Sequence, residues 1–105
     1  MTTEEMFAAI RKFSISESSM PETETQMYYT FHFKNGYSAS IVVDKELIGI
    51  KGCGRYRMIP LNSKGVVDFD VKLDVHFTSA KHVVEACKKV SKLRRPKKAF
   101  AFSRV

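Results

Sequence analysis

The sequence predicts an α+β fold, an antiparallel sheet of about four strands flanked by an N-terminal and a C-terminal helix. Apolar residues recur at helical spacing near both ends of the chain and alternate with polar residues through its centre. An Asn-Gly pair between two alternating segments marks a hairpin turn. The chain has 105 residues, of which 44% are hydrophobic, enough for one core. We therefore predict a single domain over residues 1–105.

The first helix is predicted over residues 3–13. Thr2 and Glu5 have the spacing of a capping box, in which each side chain accepts a backbone hydrogen bond at the helix start. Residues 14–25 contain four serines, three glutamates and Pro21, a composition that predicts an exposed, mobile linker. The apolar side chains at helical spacing in the first helix are Met6, Phe7, Ile10 and Phe13.

Two alternating segments separated by Asn35-Gly36 predict a β-hairpin. A two-residue loop would place Phe33 opposite Ser38 and so mix apolar and polar side chains on one face. A three-residue loop ending in a left-handed Gly36 keeps one face apolar on both strands. We therefore predict a register that pairs Phe33 with Tyr37, Phe31 with Ala39 and Tyr29 with Ile41.

Alternation predicts two further strands, over residues 55–61 and 67–77. Pro60 indicates an edge position or a strand end, because proline cannot donate a hydrogen bond to the ladder. Residues 47–54 lie between these strands and the hairpin and contain three glycines. We expect them to extend the sheet or to cover its edge.

A second helix is predicted to begin at Thr78-Ser79 and to end before Pro96, because proline cannot continue a helix. Residues 96–105 form a basic and aromatic tail, in which Phe100 and Phe102 alternate as in a short strand. The apolar face of this helix is predicted to hold Val83, Val84, Cys87, Val90 and Leu93.

Positive charge is concentrated at the C-terminal end of the chain. Residues 81–105 carry nine Lys or Arg and one acid, a net charge of +8, whereas the other 80 residues carry nine bases and ten acids. This polarity suits an acidic partner. A solvated helix face is the alternative, because cations in the last turn of a helix favour its dipole without any partner. The candidate partner-binding residues are Lys81, Lys88, Lys89, Lys92, Arg94, Arg95, Lys97 and Lys98.

Arg55, Tyr56 and Arg57 form a candidate secondary surface. Together with Tyr28 and Tyr37 they are the residue types of a platform on which single-stranded bases stack. That mechanism requires exposed rings. The alternative is that the aromatic residues serve the core, because the alternation of the strands places most of the eight phenylalanines on core-facing positions.

No catalytic, metal or cofactor site is predicted. Asp68, Asp70 and Asp74 lie on the polar side of the strand over 67–77 and are spread over more than about 10 Å at the rise of a strand. Cys53, between two glycines, has no base that the sequence identifies. We therefore expect a protein that is not an enzyme and that has no cofactor.

The sequence favours a reduced, cytoplasmic location. Its two cysteines have neither the spacing of a redox motif nor the density of a disulfide scaffold. No apolar run approaches the ~20 residues of a membrane span. The N-terminus is polar and acidic, unlike a signal peptide.

One part of the chain resembles small uncharacterised bacteriophage proteins with a hairpin of the type F-x-N-G-Y-x-x-S-I. The resemblance covers roughly residues 29–93, and its matching segments are FHFKNGYSASIV at 31–42, GRYRM at 54–58, Asp74-Val75 and VVEACKKV at 83–90. It implies a phage accessory protein in a bacterial cytoplasm that binds and modulates or inhibits a host or defence protein.

Three functional hypotheses follow. The first is a non-enzymatic protein whose basic C-terminal surface binds an acidic host protein or a nucleic-acid-handling enzyme. The second is sequence-independent binding of DNA or RNA through the same cations, which salt would weaken steeply. The third is a homo-oligomer that pairs through an exposed strand edge or through the aromatic tail.

Overall fold

The computed structural model describes residues 1–45, 55–62, 76–77 and 79–94. The predictions for residues 47–54, for most of the strand over 67–77 and for the tail lie outside these residues. In chain order the described elements are α1 (Thr3–Arg11), β1 (Ser16–Met20), β2 (Gln26–His32), β3 (Ser38–Asp44), β4 (Tyr56–Leu61), β5 (His76–Phe77) and α2 (Ala80–Ser91).

The strands form an antiparallel sheet in the order β1-β2-β3-β4-β5, with a helix at each end of the element order. The predicted α+β class is therefore confirmed. β4 alternates between buried and half-buried residues as predicted, and Pro60 is its second-to-last residue. Phe77 in β5 pairs with Tyr56 and packs against the core.

The capping box of α1 is confirmed. The Thr2 hydroxyl accepts a hydrogen bond from the Glu5 backbone N–H at 3.1 Å, and the Glu5 carboxylate accepts one from the Thr2 backbone N–H at 2.8 Å. This second bond lowers the pKa of Glu5. The helix ends at Arg11, two residues earlier than predicted, and Phe13 then stacks on Phe33 with ring centroids 5.8 Å apart.

The predicted hairpin register is confirmed. Phe31 pairs with Ala39, and the Phe33 N–H donates to the Tyr37 carbonyl at 2.9 Å. Gly36 has a φ of +92°, the left-handed conformation that glycine adopts without strain. The three-residue loop thus keeps the apolar faces of β2 and β3 on the same side of the sheet.

The segment predicted to be a mobile linker contains a strand, which corrects the prediction for residues 16–20. β1 pairs with β2, with Ser18 opposite Thr30, although all five of its residues are exposed. The strand shows no apolar alternation, because none of its side chains is buried. Its backbone hydrogen bonds to β2 hold it in the sheet. An ion pair between Arg11 and Glu17 also ties it to α1, and the hydrogen bonds of this pair lower the pKa of Glu17.

The core lies between the two helices and one face of the sheet, as predicted. α1 places the Phe7 ring 4.2 Å from the Tyr29 ring and 5.9 Å from the Phe31 ring. α2 lies against α1 and against β3, β4 and β5. Its predicted apolar face is confirmed, with Leu93 partly buried beyond the helix end. The buried residues of α2 are Ala80, Val83, Val84, Ala86, Cys87 and Val90.

Candidate functional site

The described part of the predicted basic surface lies on the face of α2 opposite the core and continues just beyond the end of the helix. At 3.6 residues per turn, Lys81, Lys88 and Lys92 lie within about 40° of one another around the helix axis. At 1.5 Å per residue they span about 16 Å. We call the exposed cations of this region the basic face: Lys81, Lys88, Lys89, Lys92 and Arg94. The remaining predicted residues, Arg95, Lys97 and Lys98, lie outside the described part of the chain.

The cations of the basic face make no ion pair with any described residue. The two ion pairs in the described ranges join Arg11 to Glu17 and Lys45 to Glu22, and none of these four residues belongs to α2. The charge of the basic face is therefore directed to solvent. No described residue neutralises it, and an exposed positive face attracts anionic groups.

One acid lies within the basic face. Glu85 is exposed, four residues after Lys81 and four before Lys89, so it lies on the same side of the helix. The surface is thus a positive stripe with a negative charge near its middle. The carboxylate therefore weakens the attraction of this surface for a uniform polyanion.

The C-terminal end of α2 is held by Asn35, which sequence reasoning assigned only to the hairpin turn. Its side-chain amide donates to the carbonyl oxygens of Val90 and Leu93, each at 2.9 Å. Its Oδ1 accepts a hydrogen bond from the Tyr37 N–H at 3.0 Å. Carbonyl groups at a helix C-terminus lack the i+4 partner of the helix interior, although the Val90 carbonyl also accepts the Leu93 N–H at 3.2 Å. A neutral amide here supplies one from another element, and we call this set of bonds the Asn35 clamp.

The Asn35 clamp bears on whether the lysines act as hydrogen-bonding caps of α2, although not on their favourable interaction with the helix dipole. If cations were needed to satisfy the end of α2, they would be expected at its free carbonyl groups. The Val90 and Leu93 carbonyls are instead bonded to the side chain of Asn35. Lys88, an exposed residue of the last turn, is accordingly not required as a hydrogen-bonding cap for either group.

The candidate secondary surface is not formed, because Tyr56 is a core residue. Its side chain is 1% exposed, and its hydroxyl is hydrogen-bonded to the Thr3 hydroxyl at 3.0 Å. The Arg55 guanidinium lies over the Tyr56 ring, 5.9 Å from its centroid. Arg57 is half-buried and, by the alternation of β4, lies on the opposite side of the sheet from Tyr56.

The candidate stacking platform is contradicted at two of its three described tyrosines. Tyr37 is buried, as is Tyr56, and a buried ring offers no face to a base. Tyr28 is half-buried, and its hydroxyl donates to the side-chain oxygen of Gln26. The physical reason is the alternation itself, which places Tyr56 beside Met58 on the side facing the helices.

Cys87 is buried in α2, and burial raises the pKa of its thiol from 9.0 to about 12. The described residues contain no group of three His, Cys, Asp or Glu side chains that could hold a metal ion. Cys53 and the three aspartates considered as ligands lie outside those residues. Among the described helices, none is long and apolar enough to span a membrane.

We predict that Cys87 resists alkylation in the folded protein and reacts once urea unfolds it, because the buried thiol stays protonated and inaccessible. A Cys53→Ser background isolates its signal. Since the folded pKa exceeds the unfolded one, the contribution of Cys87 to stability is present below 9.0 and decreases as the pH rises toward about 12. Mass spectrometry measures the alkylation rate with and without urea. Equal rates would show that the thiol is accessible in the folded protein.

Comparison with protein-family models, with curated proteins and with solved structures gives no match. The function is therefore inferred from the residues of this chain. Among the described surfaces, the basic face of α2 combines exposure, like charge and a fixed position on the core.

Proposed function

We propose that this chain is a non-enzymatic binding protein that engages an acidic partner protein through the basic face of α2. The observation that supports the proposal is the set of five exposed cations without ion pairs to described residues, three of them on α2, whose opposite face is core, and two at and just beyond its C-terminal end. Because the core fixes the helix, the cations present a defined pattern of charge. A fixed pattern of charge that matches the opposite charges of a partner confers specificity and rapid association.

The position of Glu85 favours a protein over nucleic acid as the partner. A phosphate backbone presents only negative charge, so an acid within the positive stripe weakens the binding of nucleic acid. A protein surface presents both signs and can place a cation opposite Glu85. The burial of Tyr37 and Tyr56 also removes two of the rings that single-strand stacking would use.

The resemblance to small phage proteins makes the partner class more specific. It supports a host or defence protein of the bacterial cytoplasm, including an acidic nucleic-acid-handling enzyme, which this chain would modulate or inhibit. Sequence-independent binding of nucleic acid is the second candidate, and the +8 charge of residues 81–105 favours it.

A salt titration separates these two candidates. We expect little binding to a fluorescent DNA duplex or single strand of arbitrary sequence at about 0.15 M salt, where exposed charges are strongly screened. A bacterial protein identified by cross-linking should, once purified without the cross-link, still bind at that salt, because a packed interface does not depend on counterion release alone. Micromolar DNA binding that falls by about 10³-fold or more between 50 and 200 mM salt would replace the proposal with the second candidate.

The variant Glu85→Gln adds an independent comparison. If phosphate were the ligand, removing this acid would strengthen DNA binding several-fold. For a protein partner we expect unchanged or weaker binding, because a cation opposite Glu85 would lose its charge pair. Glu4→Gln serves as the matched control, since Glu4 is an exposed acid on α1 and the change in net charge is the same.

A further inference from the structure

The hairpin turn between β2 and β3 and the C-terminal end of α2 are joined by one side chain. Asn35 bonds to carbonyl groups 55 and 58 residues later in the chain, at Val90 and Leu93. The basic face includes Lys92 and Arg94, which are adjacent to Leu93 in sequence. The position of these two cations therefore depends on the turn.

We propose that Asn35 is a positioning residue of the basic face and that Asn35-Gly36 is a deamidation site which the Asn35 clamp protects. The clamp and its chemistry are independent of any partner. The effect on binding rests on the proposed function.

The chemistry follows from the dipeptide. The Gly36 backbone nitrogen loses its proton and attacks the Asn35 side-chain carbon Cγ, forming a new C–N bond. The Cγ–Nδ2 bond breaks, and Nδ2 takes up a proton and leaves as ammonia. Water then opens the cyclic imide to aspartate or isoaspartate, without any redox step. Glycine favours the attack, because it lacks a side chain that would hinder the ring and allows the backbone to rotate.

Both reacting groups are engaged in the folded protein. The Gly36 N–H donates to the Phe33 carbonyl at 3.1 Å, and the Asn35 side chain makes three hydrogen bonds, including one from the Tyr37 N–H. Attack requires the turn to open and the clamp to break. Deamidation therefore proceeds through a locally unfolded state, and its rate falls in proportion to the population of that state.

The product cannot rebuild the clamp. A carboxylate at position 35 has no hydrogen to donate, and it would face the Val90 and Leu93 carbonyl oxygens at the negative end of the helix dipole. The last turn of α2 would separate from the hairpin. Lys92 and Arg94 would then lose their fixed position relative to Lys81.

The first test measures the reaction. The full chain is incubated at mildly alkaline pH with and without urea, and peptide mapping quantifies aspartate and isoaspartate at position 35. We expect the reaction to be at least tenfold slower in the folded protein. Equal rates would overturn the protective role of the clamp. Asn62, the other asparagine of the chain, precedes serine and serves as an internal reference.

The second test measures positioning with Asn35→Asp, which mimics the aspartate product, and Asn62→Asp as the control with the same change in charge. Asn35→Asp should accelerate amide hydrogen exchange at Lys92 and Leu93 by about tenfold or more, since their N–H groups bond within the last turn. The Met6 amide in α1 should be unaffected. Unchanged exchange at Lys92 and Leu93 would overturn the positioning role.

Binding is measured last, and the probe is the purified partner that cross-linking identified. We expect Asn35→Asp to weaken binding about tenfold while Asn62→Asp does not. Altered exchange together with a wild-type chain that binds no acidic protein would refute the proposed function alone. Altered exchange with undiminished binding would show that the clamp holds the helix end but does not position the contact surface.

Discussion

Replacing Lys88 and Lys92 together by glutamate is expected to reduce affinity for an acidic partner about 100-fold. Each reversal replaces an attraction by a repulsion, and a loss of about 1.4 kcal/mol per site is a factor of ten. Both side chains are exposed and lie on one side of α2, so the fold should persist. Isothermal titration or anisotropy with the cross-linked partner measures the affinity, and circular dichroism verifies the helix content.

The structure offers a closely matched control for the second of these sites. Lys12 is the C-cap residue of α1 and Lys92 is the C-cap residue of α2, and both are exposed. Reversing either one lowers the net charge by two, from +7 to +5. We expect Lys92→Glu to weaken binding about tenfold and Lys12→Glu to have little effect. Equal losses would show that total charge, rather than the basic face, governs binding.

The hairpin could be predicted in detail because two constraints coincide there. The alternation of β2 requires Phe31 and Phe33 on one face, and only a three-residue loop with a left-handed Gly36 matches them to apolar residues of β3. A slip of one residue would expose every aromatic side chain of that face. The sequence therefore contains enough information to determine the register.

β1 could not be predicted for the opposite reason. Ser16–Met20 buries no side chain, so no hydrophobic pattern distinguishes it from a loop. Its backbone pairing to β2 and the pair between Arg11 and Glu17 depend on the remainder of the fold. Local propensity carries little information about an exposed strand of this kind.

The candidate site was only partly predictable. Helical periodicity placed the lysines of the basic face opposite the core, and the structure confirms their exposure. The role of Asn35 left no sequence signal, because turn chemistry already accounts for an Asn-Gly pair and the bonded carbonyls lie in a distant helix. Tyr56 is buried because it alternates with Met58 along β4, and its two arginine neighbours do not change the side of the sheet on which its ring lies.

The largest loss of stability is expected from Phe31→Ala, about 3–5 kcal/mol. The Phe31 side chain is 0% exposed, and its ring lies 5.9 Å from Phe7 and 6.3 Å from Tyr29. The substitution leaves a cavity where α1 meets the sheet. Because small domains have a total stability of about 5–15 kcal/mol, this change removes a large share of it.

Tyr28→Ala on the same strand is the matched control, since it also removes an aromatic side chain but from the other face of β2. Tyr28 is half-buried, so we expect a loss of about 1 kcal/mol, well below that of a core ring. Urea denaturation with equal m-values measures both differences. Comparable losses would contradict the assignment of the two faces. A Phe31→Ala protein that is still folded should keep its affinity for the partner, because this core substitution leaves the cations of α2 in place.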